Sequence, residues 1–71
     1  MMANTIQKLM IDKGIRKGDF AERCGWTTSN LYNKMKRDNF SESELYTMAE
    51  ALGYDLKIEF IPKSNNNSPE N

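Results

Sequence analysis

Apolar residues recur at helical spacing through residues 4–53 and then alternate with charged residues near the end of the chain. The first apolar stripe predicts a helix that begins near Asn4, where Asn4 and Gln7 have the pattern of a capping arrangement. The helix is expected to end before Gly14, which has the position of a C-terminal cap. Its apolar positions are Ile6, Leu9 and Met10.

Two short helices separated by a turn at Gly25 are predicted next. The buried face of the second helix is expected to consist of Phe20, Ala21 and Cys24. The third helix is predicted over residues 28–36, and the Thr27 hydroxyl is expected to accept hydrogen bonds from its first backbone N–H groups. Leu31 and Met35, one turn apart, give this helix an apolar contact with the core.

A fourth helix follows a capping box, in which Ser41 and Glu44 satisfy each other's backbone N–H groups. It has the most regular apolar stripe in the chain and is expected to end before Gly53. The positions of that stripe are Leu45, Met48, Ala49 and Leu52.

Beyond the fourth helix the apolar period becomes two, which predicts a strand over residues 54–61. One side of this strand carries Tyr54, Leu56, Ile58 and Phe60, and the other carries Asp55, Lys57 and Glu59. The chain offers no second convincing strand, so we expect pairing with another copy across a two-fold axis. Pairing with residues 1–3 is an alternative. A tail over residues 62–71, beginning at Pro62, has nothing to bury and is expected to be disordered.

Composition excludes several classes of site. The only cysteine is Cys24 and there is no histidine, so an intramolecular disulfide, a Cys/His zinc site and a Cys/His nucleophile are all excluded. Glu42 and Glu44 are placed to oppose a helix dipole, and no glycine-rich phosphate loop follows a strand. We therefore expect no enzyme activity, no cofactor and no small-molecule ligand. The absence of a leader and of a long apolar run predicts a soluble, cytoplasmic protein that does not enter membranes.

The formal net charge is zero, but the charges are segregated along the chain. Residues 13–37 carry seven basic and two acidic side chains, whereas residues 38–59 carry one basic and six acidic ones. Such asymmetry indicates a basic surface suited to nucleic acid, with two separately solvated faces as the alternative. A chain of 71 residues is one small domain that needs efficient packing or a partner, which also favours a dimer.

At this point the sequence resembles the lambda-repressor-like, Cro-like (XRE-type) helix-turn-helix DNA-binding proteins, over residues 6–53. The resemblance is carried by Phe20, Ala21, Gly25, Thr27, Thr28, Ser29, Asn30, Leu31, Ala49, Leu52 and Gly53. It implies an all-α domain of four to five helices over residues 4–53. The C-terminal β-strand lies beyond this motif, and its pairing across a dimer is expected because the strand has no partner within the chain, not because of the resemblance. The resemblance also implies that the helix over residues 28–36 is a recognition helix in the major groove.

The resemblance assigns base contacts to Thr28, Ser29 and Asn33. The Asn33 amide has a donor and an acceptor and suits adenine, although a solvated helix residue is the alternative. Lys17 occupies the position where the family commonly has a glutamine near a phosphate. The full set of expected phosphate contacts is Lys17, Thr27, Asn30, Tyr32, Lys34, Lys36 and Arg37. For Tyr32, packing of the ring against helix four is the alternative.

Three residues depart from the family pattern. Trp26 stands where a smaller aliphatic residue is usual, and Met35 stands where a glutamate is frequent. Gly18 costs about 1 kcal/mol relative to alanine inside a helix, which allows a late start of the second helix with Lys17 in the loop.

The predicted function is a dimeric transcriptional repressor that binds duplex DNA, with half-sites centred about 34–36 Å apart. One alternative is a DNA-binding antitoxin or interaction module whose strand over residues 54–61 engages a different protein. Another is a dimerisation scaffold that does not bind DNA.

Overall fold

Four helices follow one another in residues 2–63, which are the residues that this computed structural model describes. The helices are α1 (Met2–Lys13), α2 (Lys17–Cys24), α3 (Thr28–Arg37) and α4 (Glu42–Leu52). The described part of the chain contains no strand. The all-helical class is therefore confirmed, with four helices in this part.

The core draws on all four helices. Its buried members are Ile6, Met10, Phe20, Ala21, Cys24, Leu31, Met48 and Leu52. All of them lie at positions where the apolar stripes predict a buried face. Helix α2 packs against both α3 and α4, and α1 packs against α4. This arrangement holds α3 on one side of the domain, with its polar face turned away from the core.

Local sequence signals end α2 and begin α4 at the predicted places. Gly25 has φ 79° and follows α2, and the N–H of Trp26 returns to the Ala21 carbonyl at 2.8 Å. A left-handed backbone of this kind suits glycine because it has no Cβ. The capping box at α4 is also confirmed: the Ser41 hydroxyl accepts the Glu44 N–H at 3.1 Å, and Glu44 Oε1 accepts the Ser41 N–H at 2.8 Å.

The start of α1 differs from the prediction. The helix begins at Met2, so Asn4 lies inside it and is not its cap. The backbone N–H of Ala3, one of the donors that a helix cannot satisfy internally, is bound instead by the carboxylate of Asp38, 35 residues away. A tertiary contact has replaced the local cap that the sequence pattern predicts.

The late start of α2, with Lys17 in the loop, is not observed. Lys17 is the first helical residue and Gly18 lies within the helix. The burial of Phe20 and Ala21 stabilises the helix by more than the conformational entropy that one glycine costs. A methyl group at position 18 would lie 3.8 Å from Thr28 Oγ1, so this part of α2 passes close to the start of α3.

The predicted strand over residues 54–61 is not formed in the single chain. Residues 54–63 are neither helical nor paired, and Leu56 alone among them is half-buried. Strand hydrogen bonds need a second strand, and the alternative partner within the chain is excluded because Met2 and Ala3 belong to α1. Pairing with a second copy stays a prediction. Beyond Lys63, the predicted disordered tail lies outside the described residues.

Candidate nucleic-acid interface

Helix α3 has one apolar side and one exposed polar side. Leu31 is fully buried and Met35 is half-buried, which fixes the side that faces the core. Ser29, Asn33 and Lys36 lie at spacings of four and three residues, so they share the opposite side of the helix. All three are exposed. The structure thus presents a polar row along the outer surface of α3.

Thr28, the remaining predicted base contact, is exposed at the beginning of α3. Its hydroxyl oxygen lies near Gly18, at the edge where α2 and α3 meet. The structure therefore places it beside the row rather than in its centre.

The first turn of α3 combines a cap with exposed donors. Thr27 Oγ1 accepts the Asn30 N–H at 3.0 Å, which confirms the predicted cap. The N–H groups of Thr28 and Ser29 precede the first intrahelical hydrogen bond, so they point out of the helix end. Together with the positive end of the helix dipole, these groups favour an anion such as a phosphate. The side chains of Thr27 and Asn30, two predicted phosphate contacts, are exposed here.

Three predicted phosphate contacts surround a shallow depression of about 240 Å³. Lys17, Tyr32 and Lys36 line it, from α2 and α3. Tyr32 is 55% exposed, and the residues that line the depression with it come from α1, α2 and α3 and not from α4, which does not favour packing of the Tyr32 ring against α4. The depression is also lined by Asn4 and Gln7, two amides that the sequence pattern assigns to a cap and that therefore are not predicted as candidate interface residues.

Lys34 differs from the other basic residues among the predicted phosphate contacts because its ammonium is bound within the protein. Its Nζ lies 2.6 Å from Glu44 Oε2 and 5.1 Å from the centre of the Trp26 ring. The Lys34 hydrogen bond, followed by that of the Ser41 N–H, holds the pKa of the Glu44 carboxyl below its usual range. The side chains of Lys34 and Glu44 are 16% and 26% exposed.

The end of α3 is basic. Lys36 and Arg37 are both exposed in the last turn, where positive charge also opposes the negative end of the helix dipole. These two side chains can therefore stabilise the helix, contact a phosphate, or do both.

The predicted dimerisation residues remain largely uncovered in the single chain. Phe60 is fully exposed, Ile58 is 52% exposed and Tyr54 is 41% exposed, whereas Leu56 is half-buried. Leu56 and Tyr54 border an apolar cavity of about 300 Å³ between α1 and α4. The Lys13 ammonium lies 5.1 Å from the Tyr54 ring centre.

Residues 2–63 offer little support for a reactive thiol, a metal site or a membrane-spanning helix. Burial raises the pKa of the Cys24 thiol, which disfavours the reactive thiolate. No cluster of three or more His, Cys, Asp or Glu side chains suitable for a metal occurs there. Within the same residues, no helix has the length and apolar character needed to cross a membrane.

Comparison with known proteins agrees with this geometry. No curated protein and no solved structure gives a significant match. Residues 5–57 match a protein family described as the Cro/C1-type HTH DNA-binding domain, and this range covers most of the chain and all of α2, α3 and α4. The sequence resemblance is thereby confirmed, and the chain belongs to the Cro/C1-type helix-turn-helix family of DNA-binding domains.

Proposed function

We propose that this protein is a sequence-specific repressor of transcription that binds duplex DNA as a homodimer, with α3 in the major groove. Membership of a DNA-binding family supports the general class. The observation that carries the specific proposal is the exposed row of Ser29, Asn33 and Lys36 on the outer side of α3. A helix presenting such a row fits the width of the major groove, where all four base pairs are distinguishable.

Base recognition is assigned to Thr28, Ser29 and Asn33. The Asn33 amide can form a bidentate contact with adenine, in which its oxygen accepts a hydrogen bond from N6 and its nitrogen donates one to N7. Ser29 precedes Asn33 by one turn, and the Thr28 methyl can pack on a thymine methyl. These contacts supply sequence discrimination.

Phosphate contacts on both sides of the groove are assigned to the exposed polar residues around α3. Lys17, Tyr32 and Lys36 meet at the depression near α1, and Thr27 and Asn30 lie at the start of α3. Arg37 lies at the other end of the helix. These contacts would orient α3 and make affinity dependent on salt, without reading sequence.

The dimer is assigned to the segment over residues 54–61. Exposed apolar side chains at alternating positions leave this segment without a core of its own, which supports a pairing role. Two copies in antiparallel register would pair the backbone groups that each segment directs towards the other. A two-stranded ribbon also needs apolar packing on one face to be stable, and the apolar cavity between α1 and α4 begins beside it.

Charge complementarity and apolar pairing together select a register for this ribbon. With the two-fold axis at Ile58, Leu56 of one copy lies opposite Phe60 of the other, and the apolar sides coincide. The same register places Lys57 opposite Glu59 of the second copy on the other face, twice per dimer. Cross-strand pairs of opposite charge stabilise a sheet.

The neighbouring register, with the axis at Lys57, also keeps the apolar residues on one face. It sets Lys57 against Lys57 of the second copy, however, and Asp55 against Glu59. Like charges directly opposite one another destabilise a ribbon. An axis at Leu56 would also set Lys57 against an acid, Asp55, but it would leave Phe60 opposite Leu52, which belongs to α4. We therefore assign the axis to Ile58, where Phe60 has a partner within the ribbon. In that register Phe60 of the second copy lies over Leu56 and so reaches the edge of the apolar cavity.

Repression is assigned because a dimer with helices in two successive major grooves excludes other proteins from the same stretch of DNA. RNA polymerase is the competitor that matters at a promoter. The two recognition helices must then be about 34–36 Å apart, one turn of the duplex.

The test is selection of bound duplexes from a random library, followed by affinity measurement against salt and determination of the mass of the complex. We expect an inverted repeat with half-sites one turn apart, bound by two copies. Weak binding that depends on salt and not on sequence would contradict the proposal and favour a scaffold. No binding at all would have the same meaning.

A second candidate is a DNA-binding module, such as an antitoxin, whose segment over residues 54–61 binds a different protein. The observation that favours it is the same exposed apolar segment, which lies in the acidic part of the chain. Sedimentation of the isolated protein separates the two candidates. A dimer at micromolar concentration supports self-pairing, whereas a monomer supports a different partner.

A further inference from the structure

The Lys34 ammonium lies where three parts of the domain meet. Lys34 belongs to α3, its ion-pair partner Glu44 belongs to the first turn of α4, and Trp26 lies in the turn between α2 and α3. The ammonium is 2.6 Å from Glu44 Oε2 and 5.1 Å from the Trp26 ring centre. An ammonium over an indole ring is attracted by the electron-rich face of the ring.

Glu44 is held on its other side as well. Its Oε1 accepts the Ser41 N–H at 2.8 Å, while Oε2 accepts the Lys34 ammonium at 2.6 Å. The carboxylate is therefore fixed to the backbone at the start of α4. A side chain with both oxygens bound in this way can hold the ammonium at a defined position, as a mobile surface carboxylate cannot.

From these contacts we infer that Lys34 is a positioning residue, which ties the recognition helix α3 to α4 and to Trp26 and does not contact a DNA phosphate. This inference rests on the proposed function. Asn33 and Lys34 are neighbours in α3 but point to different sides of it: Asn33 is exposed, and Lys34 is half-buried towards α4. The contacts of Lys34 with α4 and Trp26 thus fix the position of the exposed side of α3, which carries Asn33.

The packing of the helices explains why such a link matters. Helix α3 makes its main contacts with α2, whereas α4 packs against α2 and α1. A side-chain link from α3 to α4 therefore limits a rotation or shift of α3 that its packing on α2 leaves open. Base recognition depends on this because a hydrogen bond tolerates only a few tenths of an ångström in distance. A contacting residue must be held within about 0.5 Å of its productive position.

The role of phosphate contact, which the sequence predicts for Lys34, fits the geometry less well. A phosphate would have to draw the ammonium away from both Glu44 and the indole ring. Lys36 and Arg37 are exposed in the same helix and carry no such internal contacts among those that the structure describes. They are better placed for phosphates.

The experiment compares four single variants on a selected specific duplex and on a random duplex of equal length. Lys34→Met keeps the aliphatic stem and removes the charge. Glu44→Gln removes the partner's charge, and glutamine at this helix position still closes a capping box. Lys34→Arg is the conservative variant, since a guanidinium can pair with a carboxylate and stack on an indole. Lys36→Met is the matched control on the exposed side of α3.

For each variant, the ratio of the two affinities and the slope of log affinity against log salt are measured at a temperature where every variant is folded. We expect Lys34→Met and Glu44→Gln to lower the ratio by at least about fivefold, the effect of a mild base-pair mismatch. Their salt slopes should match the wild type. Lys34→Arg should retain most of the ratio. Lys36→Met should reduce the slope by about 0.9 and leave the ratio unchanged.

The double variant adds a further requirement. Because Lys34 and Glu44 act as one link, Lys34→Met combined with Glu44→Gln should lower the ratio no more than either change alone. Full additivity would contradict the link.

Two results would overturn the inference while leaving the proposed function intact. A reduced salt slope for Lys34→Met, similar to that of Lys36→Met, would identify Lys34 as a phosphate contact. An unchanged ratio for both Lys34→Met and Glu44→Gln would show that the pair only stabilises the fold. By contrast, failure of the proposed function itself would appear as equal affinity of the wild type for both duplexes.

Discussion

The carboxylate of Asp38, which ends α3, accepts a hydrogen bond from the backbone N–H of Ala3 in the first turn of α1, at 2.9 Å. Asp38 has φ 54° and ψ 41°, a left-handed conformation that aspartate and asparagine adopt more readily than most residues. A negative charge is unfavourable at the end of α3 but favourable at the start of α1. The contact between the two helices therefore compensates for an acidic residue at a helix C-terminus.

Asp38→Ala should destabilise the domain by about 1–2 kcal/mol, because it removes a helix-capping acceptor and puts a less suitable residue in a left-handed conformation. Asp38→Asn is the matched control, since it keeps an acceptor oxygen and tolerates the same backbone. Asp38→Asn should lower the free energy of unfolding clearly less than Asp38→Ala does. Urea denaturation of the three proteins measures the difference, and equal losses for both variants would contradict a role for the hydrogen bond itself.

Gly18→Ala should stabilise the protein by up to about 1 kcal/mol, the difference in helix propensity between the two residues. Its methyl group would make an ordinary contact with Thr28 Oγ1, at 3.8 Å. For a domain of this size, each kcal/mol corresponds to a rise of about 4–8 °C in melting temperature. Gly25→Ala is the opposite control, because φ 79° strains an alanine, and it should lower the melting temperature.

Stability should fall in acid partly through Glu44. The Lys34 ammonium and the Ser41 N–H hold the pKa of the Glu44 carboxyl below its usual range in the folded protein. A lowered pKa contributes stability that is complete above the ordinary glutamate pKa of about 4.3 and is lost as the pH falls through the lowered value. Denaturation of the wild type and of Glu44→Gln, from neutral pH to about pH 3, should give a shallower acid dependence for the variant. The same dependence of stability on pH in both proteins would contradict a contribution from Glu44.

Asn33→Ala should reduce discrimination between the specific and random duplexes, by about 1–3 kcal/mol if the amide contacts adenine in the bidentate manner. Lys36→Ala should instead weaken binding to both duplexes alike and reduce the salt slope by about one unit. Affinity measured on the two duplexes at several salt concentrations separates these effects. Equal losses on both duplexes for Asn33→Ala would refute its assignment to a base.

The ribbon register predicts a charge-swap result. Lys57→Glu alone places like charges opposite Glu59 of the second copy, and Glu59→Lys alone places them opposite Lys57, so each variant should dimerise less than the wild type. A mixture of the two variants restores both cross-strand pairs and should form a heterodimer. Sedimentation of each variant and of the mixture measures this. Absence of a heterodimer would contradict the pairing.

Cross-linking tests the position of the axis independently. Under oxidation, Ile58→Cys should form a disulfide-linked dimer, because residue 58 meets its own counterpart across the two-fold axis. Lys57→Cys is the control for the neighbouring register and should form much less. The buried Cys24 should not interfere. Preferential linkage at position 57 would move the axis.

Much of the fold could be predicted because its signals are local. The cap at Thr27, the capping box of Ser41 with Glu44 and the turn at Gly25 each involve atoms only a few residues apart. Such contacts form whenever the backbone turns, so their residue pattern is sufficient. The apolar stripes likewise indicate the buried side of every helix, since helical periodicity alone places those residues on one face. The exposure of Ser29 and Asn33 follows from the same periodicity.

The contacts that join the helices depend on the tertiary structure. Neither the binding of Ala3 by Asp38 nor the pairing of Lys34 with Glu44 has a pattern in the sequence, because each joins different helices and depends on how those helices pack. The start of α1 is mispredicted at Asn4 for this reason. Sequence alone determined the four helices, their buried faces and the family; packing determined that the side chains of Lys34 and Asp38 hold the helices together.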